Sequence, residues 1–92
     1  YDSAAYLDTD EGVAEYLAAA FEEGDAASLR HALGVAARAR SMTQIAREAG
    51  MSRESLYRAL SDEGNPSFDT VLRVLKALNI RLTATVAPTA PV

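Results

Sequence analysis

Apolar residues recur along this chain at the three- and four-residue spacing that places side chains on one face of a helix. In residues 10–23 this face consists of Val13, Tyr16, Leu17, Ala20 and Phe21. In residues 26–40 it consists of Leu29, Leu33, Ala36 and Ala37. Thr9 and Asp25 stand directly before the two stretches as good N-caps, and Gly24 separates them. The pattern predicts two amphipathic helices.

Residues 41–61 predict two short helices joined by a glycine turn, which is a helix-turn-helix. The helices would pack through Ile45, Ala49, Leu56 and Leu60, with room only for the small side chain of Ala46 between them. Gly50 supplies the left-handed turn conformation that a residue with a Cβ adopts only at a cost. Ser52 is a good N-cap for the second helix, and Ser41 with Gln44 fits a capping box for the first.

The last part of the chain begins with a polar turn at residues 62–66, after which Ser67 starts another helix. The apolar face of this helix is broad and consists of Phe68, Val71, Leu72, Val74, Leu75 and Leu78. Asn79 can close the helix in the left-handed conformation, and residues 80–86 then alternate between apolar and polar as a strand does. Because a lone strand leaves its backbone groups unpaired, it is expected to pair with the same strand of a second copy or with an edge strand of another protein.

The predicted fold is therefore all-α: one five-helix domain over residues 9–86, with the motif at 41–61 and a short C-terminal strand at 80–86 that pairs across a dimer. Residues 1–8 are expected to form a flexible arm and residues 87–92 a disordered tail. With no cysteine and one histidine among 92 residues, neither a disulfide nor a metal site is expected. Nothing at the amino end resembles a secretion signal, so none is expected, and no apolar run approaches the roughly 20 residues that span a bilayer. A cytoplasmic bacterial protein without a cofactor is expected.

The net charge of -4 argues against nucleic-acid binding until its distribution is considered. Before position 30 every charged side chain is acidic: Asp2, Asp8, Asp10, Glu11, Glu15, Glu22, Glu23 and Asp25. From position 30 to 58 the balance reverses, with Arg30, Arg38, Arg40, Arg47, Arg53 and Arg58 against Glu48 and Glu54. Two surfaces with two kinds of partner are implied. Catalysis is poorly supported, because no nucleophile with a base and no phosphate-cradling glycine loop is present.

The stretch from Thr43 to Ile80 resembles the lambda-repressor and Xre class of helix-turn-helix domains, including Gly64-Asn65-Pro66-Ser67 before the closing helix. Within that class the chain is similar to the addiction-module antidote (HigA-like antitoxin) family. This similarity rests on Met-Thr-Gln-Ile-Ala-Arg-Glu-Ala-Gly at 42–50 and Arg-Glu-Ser-Leu-Tyr-Arg-Ala-Leu-Ser at 53–61, and upstream on Tyr6-Leu7, Glu15-Tyr16-Leu17, Gly24-Asp25 and Ala32-Leu33-Gly34. The resemblance implies an antitoxin that neutralises a small basic RelE-like toxin and represses the operon encoding both by binding a palindromic operator.

The resemblance places Ser52, Arg53, Glu54, Tyr57 and Arg58 on the exposed side of the second motif helix, where such motifs meet the major groove. Arg53 is expected to form a bidentate pair with guanine, and Arg58 to contact a base or a phosphate. For Tyr57 a DNA contact and packing over the turn stay open. Glu54 either accepts a hydrogen bond from cytosine or repels phosphate in wrong registers.

Three further arginines, Arg38, Arg40 and Arg47, are expected to contact phosphate and to fix orientation without reading sequence. Surface salt bridges to the acidic segment are the alternative for all three. Many Xre domains carry a glutamine directly after the serine that begins the first motif helix, where it contacts phosphate. Met42 stands at that position in this chain, and Gln44, two residues later, is a weaker candidate for the same contact.

The remaining candidate residues are expected to contact partner proteins. The acidic amino-terminal helix is hypothesised to bind the toxin through Glu11, Glu15, Glu22 and Glu23, with a solubilising role as the alternative. Since one recognition helix covers few base pairs, a homodimer is expected on a two-fold operator with half-sites about 34 Å apart or a multiple of it. Its candidate surface consists of Phe68, Leu72, Leu75, Ile80, Leu82, Ala84 and Val86.

Two other functions fit the sequence. One is a stand-alone prophage-type repressor without a toxin partner, which the absence of a small basic reading frame beside the gene would favour. The other is a protein-interaction module that has lost DNA binding, which failure to shift the chain's own promoter at low salt would favour.

Overall fold

The structure, a computed structural model, describes residues 7–88, and in that range the chain forms five α-helices. They are α1 (Asp10–Glu23), α2 (Ala26–Arg40), α3 (Met42–Ala49), α4 (Arg53–Ala59) and α5 (Phe68–Ala77). The all-α class predicted from the periodicity is confirmed. Of the helices in this range, none combines the length and the apolar character needed to cross a membrane.

The helix starts follow from capping side chains that the sequence places. Thr9 Oγ1 accepts a hydrogen bond of 3.0 Å from the Gly12 N–H, and Asp25 Oδ2 accepts one of 3.0 Å from the Ser28 N–H. The caps of α4 and α5 follow the same pattern, with Ser52 Oγ bonded to the Ser55 N–H and Ser67 Oγ to the Thr70 N–H. These bonds satisfy backbone donors that have no partner inside a helix.

A single residue, Ser41, joins α2 to α3. Its N–H donates to the Ala37 carbonyl at 3.0 Å, which ends α2, while its Oγ accepts from the Gln44 N–H at 3.2 Å, which begins α3. The capping box predicted for Ser41 and Gln44 is therefore wrong in its second half. The Ser41 N–H is already bonded, and the Gln44 side chain donates to Glu48 Oε2 at 3.2 Å instead.

Helix α3 lies at the centre of the packing and contacts α2, α4 and α5, while α1 packs against α2. The largest fully buried side chains come from α1, α2, α4, α5 and the segment before α1: Leu7, Val13, Leu17, Leu33, Leu56, Val74 and Leu75. Leu7 is 1% exposed, so the packed body begins before the predicted boundary at residue 9. Residues 1–6 of the predicted arm lie outside the described residues.

The strand predicted over residues 80–86 is not formed in the single chain. Residues 80–88 carry no regular secondary structure, because a strand requires a hydrogen-bonded neighbour and the described chain offers none. The helix before this segment ends as predicted, with Asn79 left-handed at φ 64° and the Ile80 N–H bonded to the Leu75 carbonyl at 2.9 Å. Of the predicted tail, residues 87 and 88 are exposed, and residues 89–92 lie outside the described range.

Candidate nucleic-acid interface

A tight turn between α3 and α4 fixes the orientation of the two helices. Gly50 is left-handed at φ 74°, its N–H donates to the Arg47 carbonyl at 3.1 Å, and the Met51 N–H donates to the Ala46 carbonyl at 3.0 Å. This pair of bonds is a Schellman motif, in which a residue without a Cβ adopts the left-handed position without strain. The turn directs the inner face of α4, with Leu56 and Leu60 buried, onto α3.

The outer face of α4 is exposed as the sequence predicts. It carries the five residues predicted to meet the major groove: Ser52, Arg53, Glu54, Tyr57 and Arg58. Neither Arg53 nor Arg58 forms an ion pair with any residue between 7 and 88. The Tyr57 side chain is 61% exposed, so it does not pack over the turn in the single chain. The Ser52 hydroxyl is occupied by the helix cap and by a 2.9 Å hydrogen bond to Ser55 Oγ.

A groove of about 390 Å³ runs along this outer face. Its lining consists of Arg53, Glu54, Tyr57, Arg58 and Ser61. Ser61 is absent from the predicted set, although its position four residues after Tyr57 was a signal that could have included it. Its hydroxyl donates to the Arg58 carbonyl at 2.8 Å, just beyond the end of α4.

The three arginines expected at phosphates differ in their surroundings. Arg38 and Arg47 are exposed, and within the described part of the chain neither forms an ion pair. Arg40 instead forms an ion pair with Asp10 on α1, through Nη2 and Oδ1, and its Nε is buried with no partner among the described residues. For Arg40 the geometry therefore matches the alternative, a salt bridge to the acidic segment. Gln44 is exposed but hydrogen-bonded to Glu48.

The carboxylate of Asp10 holds three segments together. Its Oδ2 accepts a hydrogen bond of 2.9 Å from Asn79 Nδ2, while its Oδ1 is paired with Arg40. The bond from Asn79 and the one from Arg40 hold the pKa of Asp10 below its ordinary value of 3.8. The sequence predicted that Asn79 closes a helix and counted Asp10 among the acidic residues, and no local pattern connects the two positions.

The four glutamates hypothesised to bind a toxin are exposed on α1: Glu11, Glu15, Glu22 and Glu23. Glu23 also lines a groove of about 330 Å³ between α1 and α2, together with Tyr16 and His31. The floor of this groove includes the small side chains of Ala19, Ala20 and Ala32. This groove shares no lining residue with the groove on the outer face of α4.

The residues predicted to form a dimer do not share one environment. Phe68 and Val86 are 67% and 95% exposed, and Leu72, Leu82 and Ala84 are exposed as well. Ile80 is half-buried. Leu75 is 1% exposed and belongs to the core of the single chain, so it is not available to a second copy. The broad apolar face of α5 is thus shared between the core and the surface.

Comparison with known proteins gives two matches. A family model for probable addiction module antidote proteins matches residues 1–86. An uncharacterized protein of Haemophilus influenzae is 49% identical over 81 residues, which cover 88% of this chain and 84% of that protein. No solved structure matches the chain.

Proposed function

This chain belongs to the family of probable addiction module antidote proteins, and we propose that it is an antitoxin that neutralises a RelE-like toxin and represses its own operon. The observation that carries the repressor part is the outer face of α4. Arg53, Tyr57 and Arg58 are exposed there, on a helix whose other face is anchored by the fully buried Leu56. In this proposal α3, the turn at Gly50 and α4 act as a helix-turn-helix of the Xre class.

The mechanism follows from the placement of the arginines. The amino end of α4 enters the major groove, and Arg53, the first residue of that helix, forms a bidentate pair with the O6 and N7 acceptors of guanine. Arg38 and Arg47 contact phosphates on either side and fix the register. Arg40 contributes less than these two, because its guanidinium is already paired with Asp10.

The DNA-binding proposal is tested with a duplex from the protein's own promoter. Arg53→Ala should lower the preference for the promoter over unrelated DNA by roughly 5- to 150-fold, because one bidentate contact discriminates by about 1–3 kcal/mol. Arg81→Ala removes an exposed arginine outside the proposed DNA interface, on the polar side of residues 80–86, and is the matched control. Wild-type protein that fails to shift the promoter at low salt would contradict the proposal.

A homodimer on a palindromic operator is the second part of the proposal. Residues 80–86 would form their strand by pairing with the same segment of the second copy, which supplies the hydrogen-bond partners that one chain lacks. The exposed side chains of Phe68, Leu72, Leu82 and Val86 would be covered at the same time. Leu82→Asn with Val86→Asn should then give monomers in light scattering, while Thr83→Asn with Thr85→Asn, on the other side of the strand, should leave the dimer intact. Wild-type protein that is monomeric at micromolar concentration would rule out this interface.

The acidic face of α1 is the proposed toxin-binding surface. A toxin that acts on RNA needs positive charge, and an acidic helix would increase its association rate by electrostatic attraction. To identify the toxin, a small reading frame beside the gene that encodes a basic protein is co-expressed with this chain. The toxin should then be recovered with the chain in a pull-down. Its absence would favour the stand-alone repressor.

A matched pair of variants tests the acidic face. Glu22→Gln with Glu23→Gln removes two adjacent charges from α1, and Asp62→Asn with Glu63→Gln removes two adjacent exposed charges from the loop after α4. The α1 pair should slow toxin association at low salt, and the loop pair should have a much smaller effect. If replacement of Glu11, Glu15, Glu22 and Glu23 together left toxin association unchanged, the acidic face would have no part in binding.

A further inference from the structure

Tyr57 is the one large apolar side chain that α4 exposes. Six large hydrophobic side chains are exposed among residues 7–88, and the other five lie on α1, on α5 or in the segment after α5. The Tyr57 hydroxyl forms no hydrogen bond within the described residues. The ring therefore presents an apolar surface and a free hydroxyl on the same helix face as the unpaired Arg53 and Arg58.

The neighbours of Tyr57 determine what its ring can touch. Arg53 precedes it by four residues, so these two side chains form one row along α4, beside a second row of Glu54 and Arg58. Ser61 lines the same groove just beyond the end of the helix. The other four residues that line the groove present charged or hydroxyl groups and carry no aromatic ring. The aromatic ring of Tyr57 is the member of the set suited to an apolar contact.

The major groove offers one apolar group on the edges of its bases, the 5-methyl group of thymine. Four residues of helix advance about 6 Å, and successive base pairs are about 3.4 Å apart. Tyr57 would therefore lie within about two base pairs of the base that Arg53 contacts. We propose that the Tyr57 ring is a specificity-determining contact to the thymine 5-methyl group, so that each half-site carries a thymine within about two base pairs of the guanine read by Arg53.

This inference rests on the proposed DNA binding. It is tested with a duplex that contains only the part of the promoter that the protein protects in footprinting. Each thymine of one half-site is replaced singly by deoxyuridine, which removes only the methyl group, and affinity is measured by fluorescence anisotropy. Replacement of one thymine near the guanine should weaken wild-type binding about fourfold, which is the effect of removing one buried methyl group. Tyr57→Phe should keep this thymine preference, and Tyr57→Ala should lose it. Both variants should remain folded by circular dichroism, because the side chain is mostly exposed.

The outcomes separate this inference from the function on which it rests. Wild-type protein that binds the promoter but discriminates at no thymine overturns the role of Tyr57 alone. The same holds if Tyr57→Ala retains the preference. If Tyr57→Phe loses the thymine preference as Tyr57→Ala does, the hydroxyl and not the ring carries the discrimination, and the methyl contact is wrong. Wild-type protein that does not bind the parent duplex overturns the proposed DNA binding together with this contact.

Discussion

Asn79 Nδ2 donates a hydrogen bond of 2.9 Å to Asp10 Oδ2, across 69 positions of the chain. Asp10 is the first residue of α1, and Asn79 lies just past the end of α5. The same carboxylate is paired with Arg40, the last residue of α2. One side chain thus ties the start of the first helix to the ends of two others.

This arrangement predicts an acid-sensitive contribution to folding stability. The pKa of Asp10 is lowered by the hydrogen bond from Asn79 and by Arg40, so the ionised carboxylate is favoured in the folded state. Its stabilisation is fully present above the ordinary value of 3.8 and is lost as the pH falls through the lower pKa of the folded protein. Urea unfolding should show Asp10→Asn less stable than wild type near neutral pH, with the difference disappearing at acid pH. Glu11→Gln, in the same first turn, controls for the helix-dipole effect.

Asn79 is predicted to matter for its backbone as well as its side chain. At φ 64° an alanine is strained where a glycine is not. Asn79→Ala should therefore be less stable than Asn79→Gly by about 1 kcal/mol. Both variants lose the hydrogen bond to Asp10. Asn79→Gly should therefore destabilise the Asp10→Asn protein less than it destabilises the wild type. Equal stability of the alanine and glycine variants in thermal unfolding would show that the left-handed conformation is not maintained in solution.

Gly64 is predicted to tolerate no side chain. A Cβ at this position would overlap the carbonyl oxygens of Ala59 and Arg58, which are backbone atoms at the end of α4 and cannot rotate away. Gly64→Ala should destabilise the fold by about 1–3 kcal/mol, as overpacking does, and should weaken the proposed binding of α4 to the promoter. Gly24→Ala is the control, since a Cβ there meets no atom within 4 Å and only the left-handed φ of 68° is unfavourable. A Gly64 variant as stable as wild type would mean that the turn after α4 is more open than described.

Two leucines that look alike in the apolar pattern should differ in their effect on stability. Leu56 is fully buried between α4 and the core, whereas Leu72 on α5 is 40% exposed. Leu56→Ala should lower the free energy of unfolding by about 2–5 kcal/mol. At a concentration where the chain is monomeric, Leu72→Ala should lower it far less. Similar losses in chemical denaturation would place Leu72 in the core.

If the chain binds its promoter as proposed, the salt dependence of that binding should distinguish the arginines. Each phosphate contact contributes about 0.9 to the slope of log affinity against log salt concentration. Arg47→Ala and Arg38→Ala should each reduce that slope by about this amount and weaken all DNA sequences alike. Arg40→Ala should change it less, because Arg40 is already paired with Asp10. An unchanged slope for Arg47→Ala would show that Arg47 does not contact phosphate.

The sequence predicted the structural features that depend on residues close to one another along the chain. Apolar spacing located the helices, and the caps at Thr9, Asp25 and Ser52 carry the bonds expected of them. Contacts between distant positions were not accessible in the same way. Periodicity along α5 groups the buried Leu75 with the exposed Leu72, because both lie on a stripe wider than the core it meets. The pairing of Arg40 with Asp10 has no local signature either, since it depends on how α1 crosses the end of α2.

The Ser41 junction has a mechanical consequence. Because the backbone N–H of Ser41 closes α2 while its hydroxyl begins α3, no free linker residue separates the two helices. Helix α2 carries α1 on one side and continues directly into the α3–α4 pair. A partner that changes the orientation of α1 and α2 on binding would therefore also change the orientation of α4. Insertion of two flexible glycines after Ser41 would remove this coupling.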